Sequence, residues 1–94
     1  MNIELLTAAA FTHCESPSIG EGSLIKKMKA GDMPYVREHM LGENGLTDSD
    51  IVYVEVQPHG VVTLGIEVTG YYEEPVPTDS EEGLGILRDA GVAV

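Results

Sequence analysis

Residues 51–68, IVYVEVQPHGVVTLGIEV, alternate between apolar and mostly polar side chains on both sides of a Pro-His-Gly sequence. Alternation with a period of two, in stretches rich in β-branched residues, predicts two antiparallel strands. If Val56 pairs with Val62, both apolar sets lie on one face and three residues remain for the loop. Such a loop commonly combines a type I turn with a left-handed residue, a position that suits Gly60. The sequence therefore predicts a central β-hairpin.

The predicted hairpin, with strands at about 51–57 and 61–72, needs cover, because a two-stranded sheet alone is marginal in water. Its apolar face carries the aliphatic side chains of Val52, Val54, Val56, Val62, Leu64, Ile66 and Val68. Burial of each contributes about 1.5–3 kcal/mol, so helices are expected to pack on this face. On the opposite face the register puts Tyr53 across from Gly65, whose missing side chain the tyrosine ring is expected to cover.

Two short helices are predicted before the hairpin from their capping residues and glycine terminators. Ser23 can cap a helix over residues 24–30, and Gly31 can end it. Asp32 can cap a second helix over residues 33–41. The apolar stripes of these helices are candidates to cover the hairpin.

The two ends of the chain complete the prediction. Residues 2–13 fit either a helix or a strand, and the alanine-rich middle of this segment favours a helix. Residues 73–79, EEPVPTD, carry two prolines and are expected to form a stiff extended connector. Thr78 and Glu81 have the spacing of a capping box, so a C-terminal helix is expected to follow and to end at Gly91.

These elements predict a single small α+β domain spanning residues 1–94, in which short helices and a C-terminal helix cover a central antiparallel hairpin. No apolar run reaches the about 20 residues that are needed to cross a bilayer. The N-terminal residues lack the positive charge of a signal peptide, and a single cysteine cannot form an internal disulfide. A cytoplasmic protein is therefore expected, in the host cytoplasm if a phage encodes it.

Negative charge is concentrated in one half of the chain. Residues 38–87 contain eleven Asp and Glu residues and neither Lys nor Arg, and the net charge of the whole chain is −11. Direct binding to nucleic acid or to an anionic membrane is not expected, because both require a basic surface. The few cations include Lys26, Lys27, Lys29 and Arg37, a basic patch that could meet the acidic half of a second copy and form a homodimer.

No constellation of residues predicts catalysis or a cofactor. His13 and Cys14 are neighbours in the sequence, but a nucleophile and its base need a spatial geometry that sequence neighbours rarely have. The His and Cys residues lack the spacing of a zinc site, and the TDSD at residues 47–50 lacks the Gly and Glu of a calcium loop. We therefore predict a protein that is not an enzyme and that holds no metal or cofactor.

The segment GYYEEPVPTDSEEG, residues 70–83, is the candidate partner-binding site. It combines aromatic and acidic side chains on a stretch that proline stiffens. Rigid segments lose less entropy on binding, tyrosines are common interface anchors, and carboxylates attract a basic partner. The candidate residues are Tyr71, Tyr72, Glu73, Glu74, Asp79, Glu81 and Glu82.

The predicted function is that of an acidic binding module that occupies the basic, nucleic-acid-binding surface of a partner protein by mimicking phosphate charge. Small acidic chains without motifs are common among the inhibitors that phages and mobile elements encode, anti-CRISPR proteins among them, a parallel of composition only. The alternative is an assembly subunit of a homo-oligomer, such as a small virion component, built through the hairpin edge and Tyr71–Tyr72. A third interpretation is that the acidity serves solubility in general, as in salt-loving organisms.

Overall fold

The structure is a computed structural model that describes residues 2–15, 22–42 and 45–94. Within these ranges the chain forms a six-stranded antiparallel sheet and three α-helices, which confirms the α+β class. The elements are α1 Ile3–Ala8, β1 Thr12–Glu15, β2 Gly22–Lys29, α2 Pro34–His39, β3 Ile51–Gln57, β4 Val61–Ile66, β5 Tyr71–Tyr72, β6 Val76–Pro77 and α3 Glu81–Asp89. The strand order is β1-β2-β3-β4-β5, and β6 also pairs with β4.

The hairpin at the centre of the sheet has the predicted register. Val56 pairs with Val62, and Tyr53 lies across from Gly65. Gly60 has a φ of 86°, and its N–H donates to the carbonyl of Gln57 at 3.0 Å. The left-handed residue therefore lies where the turn chemistry required it.

The second strand of the hairpin is shorter than the predicted 61–72. After Ile66 the chain turns, because the N–H of Gly70 donates to the carbonyl of Ile66 at 2.9 Å and Gly70 has a φ of 71°. Tyr71 then pairs back with Ile66 in β5. Val68 lies in this turn and is 67% exposed, so its predicted place on the apolar face is wrong.

The helix predicted over residues 24–30 is wrong, because this segment belongs to β2 and pairs with β3. Leu24 and Met28 lie opposite the buried valines of β3, and Lys26 lies between them on the same face. The Lys26 Nζ donates to the carbonyl oxygen of Ala90 at 2.6 Å, which gives this inward cation a partner. Ser23, the expected cap, is buried in the strand.

The second predicted helix forms as α2, but Asp32 is not its cap. Residues 30–32 form a 3-10 turn, and the N-cap position of α2 is Met33, whose side chain makes no capping hydrogen bond. The carboxylate of Asp89 instead accepts a hydrogen bond from the backbone N–H of Tyr35. A side chain from α3 therefore provides the hydrogen-bond acceptor for an N–H group in the first turn of α2.

The chain termini fold largely as predicted. The N-terminal segment forms the favoured helix α1 and then enters β1. The extended connector pairs through Val76 with β4. The predicted capping box of Thr78 and Glu81 is wrong: the N-cap of α3 is Ser80, whose hydroxyl accepts a hydrogen bond from the N–H of Gly83 at 3.0 Å. Thr78 is buried, and its N–H donates to the carbonyl of Gly60 at 2.9 Å, which joins the connector to the hairpin turn.

The described helices cover one face of the sheet, and none of them packs on the other face. Side chains of β3 alternate between buried and half-buried along the whole strand. Packed against the buried set are Leu6 of α1, Val36 of α2, and Ile86 and Leu87 of α3. The opposite surface is called the outer face here and comprises Ile25, Lys27, Lys29, Ile51, Tyr53, Glu55, Val61, Thr63 and Gly65, together with Glu67, which follows β4.

Candidate protein-binding surface

The two candidate tyrosines lie on β5 at the edge of the sheet. Tyr71 is 45% exposed and Tyr72 is 52% exposed. Tyr72 pairs with Gly65, and a Cβ added to Gly65 would lie 2.7 Å from Cδ1 of its ring. The ring that covers this glycine on the outer face is therefore Tyr72, and the expected role of Tyr53 there is wrong. Tyr72 is thereby separated from the acidic residues that follow it.

The acidic residues Glu73 and Glu74 are held along the edge of β4 by the backbone. The N–H of Glu73 donates to the carbonyl of Leu64 at 2.8 Å, and the hydroxyl of Thr63 donates to the carbonyl of Glu73 at 2.6 Å. Val76 then pairs with Val62 in β6. Because hydrogen bonds fix both ends of this short stretch, the two glutamates leave the sheet edge from defined positions.

Three candidate glutamates from two elements meet around one cleft. Glu73 and Glu74 from the sheet edge and Glu82 from α3 line a cavity of about 110 Å³ together with Tyr35 and His39 of α2. These five residues are called the acidic cleft below. Its apolar lining is Met40, Val62, Leu64, Val76 and Ile86.

The pKa of Tyr35 reflects the negative charge around the acidic cleft. Burial raises the pKa of its phenol above the ordinary value, and the charges of Glu82 and Glu73 raise it further. The rings of Tyr35 and His39 lie 4.7 Å apart between centroids, tilted by 50°. The sequence reasoning missed both residues because they belong to α2, far from the acidic segment in sequence, and only the fold brings α2 to this edge.

The remaining acidic candidates lie around the start of α3. Glu81 and Glu82 occupy its first turn, where carboxylates interact favourably with the helix dipole. Glu81 also lines an open groove beside the acidic cleft, together with Tyr35, Pro77 and Arg88. Asp79 is exposed in the turn that precedes α3. Five of the seven candidates therefore share one edge of the molecule, called the acidic edge below: Glu73, Glu74, Asp79, Glu81 and Glu82.

Three of the basic side chains make contacts outside the acidic edge. Lys26 binds a backbone carbonyl oxygen, and the Nε of Arg88 donates to the backbone oxygen of Val94 at 3.3 Å. The Nζ of Lys27 lies 5.3 Å from the centroid of the Tyr53 ring, within the range of a cation–π contact. The contacts described for these three cations therefore do not involve the carboxylates of the acidic edge.

The geometry of His13 and Cys14 does not make a catalytic pair. They are successive residues of β1, paired with Leu24 and Ser23 respectively, so their side chains point to opposite faces of the sheet. Burial, and then the charge of Glu55, raise the pKa of the Cys14 thiol, which disfavours a thiolate at neutral pH. Across the described residues, no group of three or more His, Cys, Asp or Glu side chains is arranged to hold a metal ion.

Comparison of the chain with protein-family models, curated proteins and solved structures finds no significant match. Function is therefore inferred from the residues of the chain itself. Of the helices in the described ranges, none combines the length and the apolar character that crossing a membrane requires.

Proposed function

We propose that this protein is a non-enzymatic acidic binding module that occupies the basic, nucleic-acid-binding surface of a partner protein. The observation that carries the proposal is the convergence of Glu73, Glu74 and Glu82 on the acidic cleft from two separate elements. Concentrated like charge disfavours folding through self-repulsion. A cluster that the fold assembles at one edge is therefore suited to attract an oppositely charged surface.

The backbone that carries the acidic edge is held in place by hydrogen bonds within the chain. The backbone of Glu73 is fixed to β4 by two hydrogen bonds, and Glu81 and Glu82 stand on a helix that Ser80 caps. Residues already held in place lose little conformational entropy on association. Carboxylates carried on a fixed backbone also resemble the phosphates of a nucleic acid, which occupy set positions along a backbone.

An inhibitor is the functional class that fits such a module best. A carboxylate array in a basic groove excludes the nucleic acid that the groove would otherwise bind, and long-range attraction speeds its association. Inhibitors of nucleic-acid-processing complexes, such as the anti-CRISPR proteins of phages, act in the cytoplasm of the host. The proposal places this protein in that functional class on the basis of its charge and the geometry of its edge.

An affinity capture with matched charge variants tests the proposal. Immobilised wild-type protein and a Glu73→Lys/Glu74→Lys variant are exposed to a host lysate at low and high salt, and bound proteins are identified by mass spectrometry. A Glu4→Lys/Glu38→Lys variant changes the net charge equally at exposed positions on α1 and α2. We expect wild type and the control variant to capture the same basic partner, and the edge variant to lose it. Added DNA should displace this partner from the immobilised wild-type protein.

Two outcomes contradict the proposed function. Equal loss of the partner by the edge variant and by the control variant would mean that only net charge matters. Retention of the same partner by all three proteins, undisturbed by DNA, would mean that binding does not use the acidic edge or a nucleic-acid-binding surface.

A further inference from the structure

The outer face of the sheet is electrically unlike the rest of the molecule. Its charged side chains are Lys27 and Lys29 on β2, Glu55 on β3 and Glu67 directly after β4, so positive and negative charges are equal in number. The chain as a whole carries a net charge of −11. Two copies that approach through this face bring no net local charge together, whereas approach through the acidic edges is repulsive.

The charges of the outer face are also ordered across the strands. Lys29 lies opposite Ile51, and the N–H of Glu67 donates to the carbonyl of Ile51 at 3.1 Å. The three residues therefore form one row, with a cation on the β2 side of β3 and a carboxylate on the β4 side. The two charged positions are about 10 Å apart, which is two strand spacings.

We propose that the outer face binds a second copy of this chain in a dimer with a two-fold axis parallel to β3. Rotation about such an axis exchanges the two sides of β3, so Lys29 of one copy faces Glu67 of the other. The same operation forms the second pair, because a two-fold interface is reciprocal. It also brings the two Glu55 side chains of β3 together near the axis, with Lys27 of each copy on the neighbouring strand. Packed sheets lie about 10 Å apart, a separation that long Lys and Glu side chains from the two sheets can bridge.

Apolar and aromatic side chains supply the centre of this interface. Tyr53 lies on β3, next to the proposed axis, and the half-buried Ile25 and Ile51 lie near it. The half-buried Val61 lies farther along the same face, opposite Gln57. Desolvation by neighbouring groups raises the pKa of the Tyr53 phenol, and a hydrogen bond with Glu67 raises it further. The ring is thus a neutral, positioned side chain that two copies can pack against each other.

The size of the outer face indicates a weak dimer. Neighbouring strands lie about 4.8 Å apart and each residue advances about 3.3 Å, so the face spans about 10 Å across its three strands and about 20 Å along them. This is smaller than a standard interface, which buries about 800 Å² on each partner. The dimer is therefore expected to form at micromolar to millimolar concentration, as weak complexes of this size do.

Analytical ultracentrifugation over a concentration series, combined with charge exchange, tests the dimer. Wild type is compared with Lys29→Glu, with Glu67→Lys and with the double variant that carries both changes. Each single reversal places like charges opposite each other at both pairs and is expected to weaken dimerisation about tenfold or more. The double variant restores opposite charges with their positions exchanged and is expected to recover the dimer.

Control variants separate this interface from a general effect of charge. Arg37→Glu and Glu38→Lys make the same two charge changes at exposed positions of α2 and are expected to leave dimerisation unchanged. Circular dichroism shows whether a charge reversal unfolds the protein. If it does, the neutral variants Lys29→Gln and Glu67→Gln are used instead, and each is expected to weaken the dimer. A wild-type protein that remains monomeric up to about 1 mM overturns the proposal. So does a double variant that dimerises no better than the single reversals.

Discussion

The carboxylate of Asp89 accepts a hydrogen bond from the backbone N–H of Tyr35, which joins the end of α3 to the first turn of α2. The first N–H groups of a helix have no partner within the helix, so this contact replaces the local cap that α2 lacks. It also fixes the relative position of the helices that carry Tyr35 and Glu82. The acidic cleft therefore depends on a cap supplied from 54 residues away.

Removal of this cap is expected to destabilise the protein. The Asp89→Ala variant should lose about 1–2 kcal/mol of the free energy of unfolding, as for other helix caps, measured by chemical denaturation. Asp32→Ala, at the cap position that the sequence indicated, provides the matched control and should change stability by about 0.5 kcal/mol or less. A larger loss for Asp32→Ala than for Asp89→Ala would contradict this assignment of the cap.

Two glycines of α3 are expected to respond oppositely to the same substitution. A Cβ at Gly83 would collide with the carbonyl oxygen of Pro77, whereas a Cβ at Gly85 would meet no atom within 4 Å. Gly85→Ala should therefore raise the stability by about 1 kcal/mol through helix propensity, and Gly83→Ala should lower it by about 1–3 kcal/mol. Thermal denaturation of the two variants measures both effects, and equal stabilisation by both would contradict the close packing of α3 on β6.

The phenol of Tyr35 is expected to titrate at a pH above that of an ordinary tyrosine, because burial and the charges of Glu82 and Glu73 raise its pKa. A raised pKa means that folding favours the neutral form. This contribution to stability is present below pH of about 10, the ordinary pKa of tyrosine, and is lost as the pH rises through the folded-state value. Nuclear magnetic resonance of the ring carbon bonded to the hydroxyl follows the titration of Tyr35 separately.

A pair of glutamate variants isolates the cause of that shift. Glu82→Gln should lower the pKa of Tyr35 toward its ordinary value. Glu81→Gln removes the neighbouring charge of α3, which is not among the causes of the shift, and should leave the pKa nearly unchanged. An equal effect of the two changes would contradict the geometry of the acidic cleft.

The thiol of Cys14 is expected to react slowly with alkylating reagents at neutral pH, because burial and the charge of Glu55 raise its pKa. The rate, followed by mass spectrometry against pH, should be lower than that of an unfolded control peptide with the same local sequence. Glu55→Gln should increase the rate. A rate above that of the peptide would indicate an activated cysteine and would revive an enzymatic function.

The central hairpin could be predicted from the sequence because its information is local. Alternation predicted which side chains of β3 are buried, and the Pro-His-Gly loop predicted the register between Val56 and Val62. Both depend on residues adjacent to the turn. The place of Gly60 in the left-handed region followed from the same local chemistry.

The errors arose where distant contacts outweighed local preference. Residues 24–30, LIKKMKA, have good helix formers, and the spacing of Leu24 and Met28 suits a helix as well as a strand. Pairing with β3 makes the segment a strand, and Lys26 can face inward only because the end of α3 offers a carbonyl oxygen. The acidic cleft was predicted in part. Its glutamates belong to the charged segment that the sequence singled out, whereas Tyr35 lies beside them only because of tertiary packing.

The rate of association between this protein and its purified partner tests the proposed function most directly. It is measured by biolayer interferometry at several ionic strengths for wild type, Glu73→Lys/Glu74→Lys and Glu4→Lys/Glu38→Lys. If the acidic edge guides binding, the edge variant associates about tenfold more slowly or worse at low salt. The control stays within about twofold of wild type, and the difference between the two variants shrinks as salt screens the charges. Equal association rates for the edge variant and wild type at low salt would contradict the account.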